Sequence, residues 1–433
     1  MGSGFTRRRF LKALGAAGVC LALTSTEGCE LLGRAGKFET LRVPRHASLR
    51  APRVWPLPGV SAVEPKGVWA FRSRPDLAPA AAQMTGSAYG TAPGYVFVAL
   101  KEGAGEHGPM ILDDRGQLVW FEKYISARNF RMQRYRGRPV LTWWEGRVPY
   151  GHGVGDYVIF DDSYREISRV RAGNGYRGDL HEFLITPEDT ALLTAYAEVP
   201  ADLSPAGGPV YGAAWDGIAQ EVDIESGEVL FEWHSLDHVG VGESHITTPE
   251  DPDFVYDYFH INSIDVYDED HLLVSARNTW TVYKIDRKTG EIVWRLGGKR
   301  SDFEMGEGTR TALQHDARHH EDGTITIFDN GANLKGHDVS RAIVLRLDEE
   351  EMRSTLLREY TSPEMIVATS QGSAQLLSNG NVFVGWGSAP YLSEFSRDGF
   401  ETAMLAQTTA PYVAVRARDS SGGFLGTSDP VEL

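Results

Sequence analysis

Short runs of alternating apolar and polar residues dominate the chain, and turn residues separate them. Several runs share one plan: an acid, a short turn ending in glycine, and an alternating strand with an aromatic residue near its end. The plan follows Asp114, Asp223 and Asp286, and weaker copies follow Asp348 and Asp398. Because Asp-x-x-Gly and Asp-Gly between such runs are typical of hairpins, the pattern predicts antiparallel β-structure.

A second unit recurs between these hairpins: a polar residue, a short strand, a turn and an apolar strand. Its copies begin at Asn129, His181, His260, His315 and Gly372. The spacings are 52, 79, 55 and 57 residues, and a repeat of this length with four short strands is typical of a propeller blade. Strands near 95–100 and 110–121 supply one more blade. The sequence therefore predicts an all-β, six-bladed β-propeller over residues 66–433, with a hairpin at 411–428.

The N-terminus is typical of an export signal. A basic segment, 6–12, precedes the apolar run 13–23, which is too short to span a bilayer. The pair Arg7 and Arg8, followed by Phe-Leu at 10–11, resembles the twin-arginine signal. Residues 1–28 are therefore predicted to be a signal peptide, and the protein is expected in the cell envelope or outside the cell.

The segment that follows is read as a tether. Residues 29–65 are rich in proline and lack periodicity, which favours an irregular linker or wrapping arm. Cys29 follows Thr-Glu-Gly, and two interpretations stay open: a lipid-anchored mature N-terminus, or an incidental cysteine near the cleavage site. The other cysteine, Cys20, lies inside the signal, so the mature chain is expected to have no internal disulfide.

Composition narrows the function classes. The chain has 433 residues, of which 42% are hydrophobic and 24% charged, which is typical of a globular protein. The formal net charge of −16 argues against nucleic-acid binding, which needs clustered cations. No apolar run reaches 18 residues, so the mature protein is not expected to have a transmembrane helix.

Residues that start the inner strand of successive blades should meet around one axis. His181, His260 and His315 are therefore predicted to converge, and Arg277 and Asn330 follow the next apolar strand of their units. Such a set can bind a tetrahedral oxyanion. The alternative is that the repeated histidines only hydrogen-bond within their blades. Their polar neighbours differ from unit to unit, which favours a functional role: Glu182, then Asn262 and Ser263, then Asp316 and Arg318.

These segments resemble the bacterial and fungal arylsulfotransferase family. The matching pieces lie mainly between Asp257 and Gly331: D-Y-F-H-I-N-S, S-A-R-N, Y-K-I-D-R-K-T-G-E-I-V-W-R-L-G-G-K, Q-H-D-A-R and F-D-N-G. Further pieces, including H-E-F from His181 and N-G-N-V-F-V-G-W-G from Asn379, extend the resemblance over roughly 66–408.

The resemblance implies a six-bladed propeller that moves a sulfuryl group from an aryl sulfate ester to a phenolic acceptor through a sulfated histidine. It implies no nucleotide donor and no cofactor, and G-G-K-R-S at Gly297 does not fit a phosphate-binding loop. Sulfuryl transfer needs cations, a nucleophile and a proton donor or acceptor. The residues assigned to catalysis are His260, His315, Arg277 and Asn330. Those assigned to substrate binding are His181, Asn262, Arg318, Lys335, Trp280 and Trp386.

The chain also departs from the family pattern. The family's sulfated histidine lies in a later blade, whereas here no histidine follows His337 and that blade opens with Gly372. The arginine expected after F-D-N-G is replaced by A-N-L-K, which leaves Lys335 nearby. The nucleophile is therefore left open among His181, His260 and His315.

Two other function classes stay open beside the enzyme. One is a non-catalytic binding or scaffold propeller whose axial histidines are structural or hold a metal; no ligand spacing typical of a metal site is present, so no metal residues are assigned. The other is a quinoprotein-like or hydrolytic propeller, suggested by G-E-I-V-W at 290–294. Absorbance of the purified protein and a metal assay would separate these classes.

Overall fold

The computed structural model describes twelve stretches of the chain: 37–42, 67–82, 90–101, 105–124, 126–149, 151–250, 254–331, 339–362, 365–396, 412–418, 424–427 and 431–432. Helix is scarce in these residues. The α-helix α1 (Ser235–His238) has four residues, and two 3-10 turns cover Ser204–Ala206 and Val241–Glu243. No helix in the described part of the chain is long and apolar enough to cross a membrane. The all-β prediction is confirmed.

Strands fill most of the rest. In the first half of the chain they are β1 (Lys37–Arg42), β2 (Val96–Leu100), β3 (Gly108–Leu112), β4 (Leu118–Phe121), β5 (Arg128–Tyr135), β6 (Arg138–Arg147), β7 (Val154–Phe160), β8 (Glu166–Val170), β9 (Gly178–Ile185), β10 (Thr190–Ala201), β11 (Gly212–Asp223) and β12 (Val229–His234).

In the second half they are β13 (Ile261–Val266), β14 (His271–Ala276), β15 (Thr281–Asp286), β16 (Ile292–Gly297), β17 (Glu304–Met305), β18 (His315–His319), β19 (Thr324–Asp329), β20 (Arg341–Asp348), β21 (Arg353–Thr361), β22 (Ser373–Leu376), β23 (Val382–Gly385), β24 (Leu392–Phe395), β25 (Tyr412–Arg418), β26 (Phe424–Thr427) and β27 (Val431–Glu432).

Contacts divide the chain into two units, of which the larger contains Val63–Glu401. Its sheets run in sequence order: β2 to β4, β5 to β12, β13 to β16, β17 to β21, and β22 to β24. The eight-stranded sheet contains two antiparallel meanders, β5–β8 and β9–β12, joined by the pair Gly155 and Gly178. Consecutive strands pair antiparallel because short turns join them.

The smaller unit is a separate sheet. Strand β1 pairs antiparallel with β25, which also pairs with β26 and β27. Strand β1 falls in the segment 29–65 that the sequence predicted to be irregular, and β25 and β26 fall in the predicted C-terminal hairpin. The predicted signal peptide, 1–28, lies outside the described residues.

The repeated turns form as the sequence predicts. At the end of β15, Oδ1 of Asp286 accepts hydrogen bonds from the backbone N–H groups of Lys288 and Thr289, at 2.9 and 2.7 Å. Gly290 follows at φ 76°, a left-handed conformation that suits glycine, and β16 then pairs with β15. Asp223 and Gly227 repeat the arrangement before β12.

The aromatic residues near the strand ends form the core. Trp233 and Trp294 are 1% and 2% exposed, and Trp120 packs on Phe130. Trp386 is fully buried between Phe328 and Phe395, and its Nε1 donates to Ser393. Its ring therefore has no free face for the substrate contact that the sequence assigned to it.

Charged side chains meet where the first strands of neighbouring meanders contact each other. Arg318 on β18 lies 2.5 Å from Oε2 of Glu182 on β9 and 2.6 Å from Oδ1 of Asp316. Arg131 on β5 lies 3.1 Å from the other oxygen of Glu182. Burial raises the pKa of Asp265, on β13 beside this group, to about 6. Arg318 is therefore engaged in buried ion pairs, whereas the sequence assigned it to the substrate.

Replacing Arg318 with glutamine should lower the free energy of unfolding by up to about 3–5 kcal/mol, because Glu182 and Asp316 would stay buried with only the more distant Arg131 as a cation. Chemical denaturation of purified protein measures this. The matched control is Arg353→Gln, whose partner Glu304 is exposed; its expected cost is under about 1 kcal/mol. Equal losses in the two variants would contradict a buried ion-pair network.

Candidate active site

Two of the repeated histidines lie side by side. His181 is on β9 and His260 immediately precedes β13, and their ring centroids are 4.9 Å apart. Their side chains are 8% and 13% exposed. The convergence that the blade repeat predicted for these two residues is thus present, and each imidazole has its own carboxylate.

Asp179 holds His181. Its fully buried carboxylate accepts hydrogen bonds from Nδ1 and the backbone N–H of His181, at 2.6 and 2.9 Å, and from Thr194 and the backbone of Gly153. Burial lowers the pKa of His181, but the charge and hydrogen bond of Asp179 outweigh burial, so the net pKa is raised. His181 is therefore the imidazole that stays protonated at higher pH.

Asp257 holds His260. Nδ1 of His260 lies 2.5 Å from Oδ2 of Asp257. Burial lowers the pKa of His260, and the charge of His181 adds to this, so the net pKa is lowered despite Asp257. His260 also has φ 56°, an unfavourable conformation for a residue with a side chain. The pKa values of the two adjacent imidazoles are thus shifted in opposite directions.

His315 is bound differently. It starts β18, and Nδ1 lies 2.7 Å from Oδ1 of Asn330, while Nε2 accepts the backbone N–H of Gln371 at 3.2 Å. Burial lowers its pKa well below the usual value, and Arg277 adds to this. The amide nitrogen of Asn330 donates to the carbonyls of Ala368 and Gln371. Both residues therefore already have partners within the fold, which favours a structural role.

Arg277 supplies positive charge beside the histidines. Its Nη1 donates to Oδ1 of Asn278 at 2.7 Å and Nη2 donates to the carbonyl of Thr369 at 3.2 Å. Burial lowers its pKa, and the charge of Asp257 opposes that shift. Both contacts are with neutral oxygens, so its charge stays available to an anion.

His152 is a fourth histidine of the site, and the sequence analysis missed it. Its Nε2 lies 3.1 Å from Oδ2 of Asp257, and its ring centroid lies 5.4 Å from that of His260. It lies in the turn before β7, outside the blade repeat. The sequence feature that could have identified His152 is the run G-H-G at 151–153. A Cβ on Gly153 would lie 2.5 Å from the backbone nitrogen of Leu180, so only glycine lets the turn that carries His152 come this close to β9.

A cavity of about 310 Å³ lies beside His152. His152 and Tyr196 line it and stack on each other, with ring centroids 4.0 Å apart. Trp215, Tyr176 and Arg177 complete much of the wall. The cavity can take an aromatic ring against three aromatic side chains.

His152, Asp257 and His260 form a group of side chains of the types that bind metal ions. One ligand atom from each lies within 4.8 Å of the others, and Nδ1 of His152 and Oδ1 of Asp257 are buried without partners in the described part of the chain. However, Nδ1 of His260 lies only 2.5 Å from Oδ2 of Asp257. Two atoms that bind one zinc ion through bonds of about 2.0–2.2 Å in a tetrahedral arrangement lie farther apart than this. The present spacing fits hydrogen bonds.

The remaining predicted residues have the following places. Nδ2 of Asn262 donates to the carbonyl of Gln314, and Oδ1 is buried without a described partner. Trp280 stacks on His245, with ring centroids 3.8 Å apart. Burial, with a smaller effect from Lys299, lowers the pKa of His245 to about 4. Lys335 lies outside the described residues.

The later meander cannot supply an axial side chain at its first position. Gly372 has φ 116°, and a Cβ there would lie 2.1 Å from the ring of Phe328. The neighbouring Gln371 instead offers its backbone N–H to His315. The site is therefore built from the earlier meanders, at His181 and His260.

Comparisons with known proteins show the family of this chain. Residues 131–407 match the model of the arylsulfotransferase (ASST) family, which is well over half of the chain. The protein therefore belongs to the arylsulfotransferase family, as the sequence resemblance predicted. None of the curated proteins matches its sequence significantly.

Solved structures show weak similarity. A protein of unknown function from Bacteroides caccae is 13% identical, with 78% of this chain and 93% of that chain covered and a TM-score of 0.36. BamB from Moraxella catarrhalis is 12% identical, with 78% and 83% covered and a TM-score of 0.31. The Cps50 (Swd1) β-propeller domain from Myceliophteria thermophila is 13% identical, with 70% and 97% covered and a TM-score of 0.36. These similarities are too weak to indicate a function.

His315→Ala should lower the free energy of unfolding by about 1–3 kcal/mol, because Asn330 and the Gln371 N–H would lose a buried partner. The melting temperature measures the loss. His271→Ala is the control, since the side chain of His271 is hydrogen-bonded to Asp268 in an exposed turn, and its melting temperature should stay close to that of the wild type. An unchanged melting temperature for His315→Ala would count against the structural role.

Proposed function

We propose that this protein transfers a sulfuryl group from an aryl sulfate ester to a phenolic acceptor without a nucleotide donor. One observation carries the proposal: two imidazoles lie 4.9 Å apart and their pKa values shift in opposite directions. Neighbouring groups whose pKa values diverge are suited to act as acid and base in one reaction. Membership of the arylsulfotransferase family supplies the substrate class.

His260 is proposed as the nucleophile. Asp257 accepts the hydrogen bond from Nδ1, so the proton of the neutral ring is on Nδ1 and the lone pair is on Nε2. Nε2 has no hydrogen-bond partner among the described residues. A buried, neutral imidazole with a free Nε2 can attack sulfur.

His181 is proposed as the proton donor. Asp179 occupies its Nδ1, so the proton on Nε2 is free for the oxygen that leaves sulfur. Arg277 would stabilise the negative charge on the sulfuryl oxygens, a role that suits a guanidinium in a partly dehydrated site. Its charge lowers the pKa of His315 and acts on His181, which shows that it lies within electrostatic range of both.

Two steps complete the transfer. Nε2 of His260 forms a bond to sulfur as the bond from sulfur to the aryl oxygen breaks; the electron pair goes to that oxygen, which takes the proton of His181. A second phenol then gives its proton to His181 while its oxygen attacks sulfur. The bond from sulfur to His260 breaks and returns the electron pair to Nε2.

His260→Ala should reduce kcat/KM for p-nitrophenyl sulfate with a phenol acceptor by about a thousandfold or more, since the nucleophile is lost. Asp257→Asn should reduce it by about a hundredfold or more, because an amide would favour the wrong tautomer. The absorbance of released p-nitrophenolate measures both. Intact-mass and peptide analysis after reaction with donor alone should find a sulfuryl group on His260.

The control is His271→Ala, a surface histidine that should retain wild-type rates. Wild-type activity in His260→Ala, or the sulfuryl group on another residue, would refute the assignment of His260. Absence of transfer with a range of aryl sulfates would refute the proposed reaction.

A bell-shaped pH dependence is expected for kcat/KM of the donor. Activity should rise with pH through the lowered pKa of His260, below the ordinary value of about 6.5, because the nucleophile must be neutral. It should fall with pH through the raised pKa of His181, above that value, because the donor must be protonated. In His181→Gln the alkaline limb should disappear. A profile with the same alkaline limb in wild type and His181→Gln would contradict the assignment.

We also infer that the larger unit is a six-bladed propeller. Its support is the series of antiparallel meanders β2–β4, β5–β8, β9–β12, β13–β16, β18–β21 and β22–β24. The segment before β2 hydrogen-bonds to the last meander: the Ala92 N–H donates to Glu394 and Asn381 donates to the carbonyl of Gly90, at 2.6 and 2.9 Å. Such bonds between the first and last meanders suit a closed ring.

Export and a lipid anchor are part of the proposal. Their support is the sequence pattern at Arg7 and Arg8, the apolar run behind them and Cys29. These residues lie outside the described ones.

A further inference from the structure

The cavity beside the histidines has an element that the proposed reaction does not use. Arg177 lines it, and among the lining residues it has the only guanidinium. The side chain is 59% exposed, and its described partner is Asp156, 3.3 Å from Nη2. The other N–H groups of Arg177 have no partner in the described part of the chain.

Asp156 does not neutralise this corner of the cavity. Its other oxygen lies 3.1 Å from Nε of Arg171, so two guanidinium groups share one carboxylate. Together with burial, two other acids, Asp216 and Glu232, raise the pKa of Tyr176 on the same wall. Both are already bound by His234, whose Nδ1 and Nε2 lie 2.6 and 3.2 Å from them. Arg177 therefore shares its carboxylate with a second guanidinium and keeps donors that no described residue occupies.

The rest of the cavity wall suits an aromatic ring, because Tyr176, Tyr196 and Trp215 line it. An engineered apolar cavity of about 150 Å³ holds one benzene ring, so about 310 Å³ has room for one ring and a short substituent. Two residues of the cavity wall contact the proposed catalytic histidines. The ring centroid of His152 lies 5.4 Å from that of His260, and the ring centroid of Tyr196 lies 6.4 Å from that of His181.

We propose that the cavity binds phenols that carry a carboxylate, with the ring between the aromatic side chains, the hydroxyl toward His181 and His260, and the carboxylate on Arg177. A guanidinium recognises a carboxylate through two parallel hydrogen bonds, which gives both attraction and orientation. The inference rests on the proposed function and names its acceptor class: hydroxyaryl carboxylates.

Binding without a sulfate donor tests the inference separately from transfer. Isothermal titration with p-hydroxyphenylacetate and with the uncharged p-hydroxyphenylethanol should show about tenfold tighter binding of the carboxylate by the wild type. Arg177→Gln should remove that preference and leave the affinity for the uncharged phenol unchanged. Arg171→Gln is the matched control: Arg171 shares Asp156 but does not line the cavity, so the preference should persist.

A third variant locates the ring. Trp215→Leu should weaken both phenols, since it removes a wall of the cavity. Equal wild-type affinities for the two phenols, an unchanged preference in Arg177→Gln, an equal loss in Arg171→Gln, or no effect of Trp215→Leu would each overturn the inference. Selective binding by a protein that transfers no sulfuryl group would instead refute the proposed function and leave the binding site standing.

Discussion

A charge removed from water must have a partner, and this constraint shapes the centre of the larger unit. The first strands of the meanders carry polar residues, so their contact buries imidazoles, carboxylates and guanidinium groups together. Burial alone would leave every histidine neutral. The partners modify this: Asp179 raises the net pKa of His181, whereas the pKa of His315, lowered by burial, stays well below its usual value despite its hydrogen bond to Asn330. A carboxylate partner opposes burial but does not always outweigh it: His260 is bonded to Asp257, and its net pKa is still lowered.

The same constraint distinguishes arginines that stabilise the fold from arginines that can bind a substrate. Arg318 is bound by Glu182 and Asp316 and holds neighbouring strands together. Arg277 makes its described hydrogen bonds to neutral oxygens only. A cation that already faces two carboxylates has little attraction left for an anionic substrate, and one that faces amides and carbonyls retains it. Of Arg277 and Arg318, Arg277 is thus the one suited to bind an anion.

The sequence predicted the repeated elements well and their partners poorly. Hairpins at Asp223 and Asp286 and the approach of His181 to His260 follow from a period that the chain repeats. His152 does not, because it lies in a turn outside the period. Asp179 and Asp257 stand two and three residues before their histidines, so no single spacing identifies them. Trp386 was misjudged for a related reason: alternation shows that a residue belongs to one face, but not whether that face is the core.

The structure also accounts for the departure from the family pattern. A histidine cannot replace Gly372, because its Cβ would overlap the ring of Phe328 and its φ of 116° disfavours any side chain. The backbone there serves His315 through Gln371, and His315 has no free nitrogen. Of the three histidines that the sequence left open as nucleophile, two have an Nε2 without a hydrogen-bond partner among the described residues. The net pKa of His181 is raised and that of His260 is lowered. Since a nucleophile must be unprotonated, the lowered pKa favours His260.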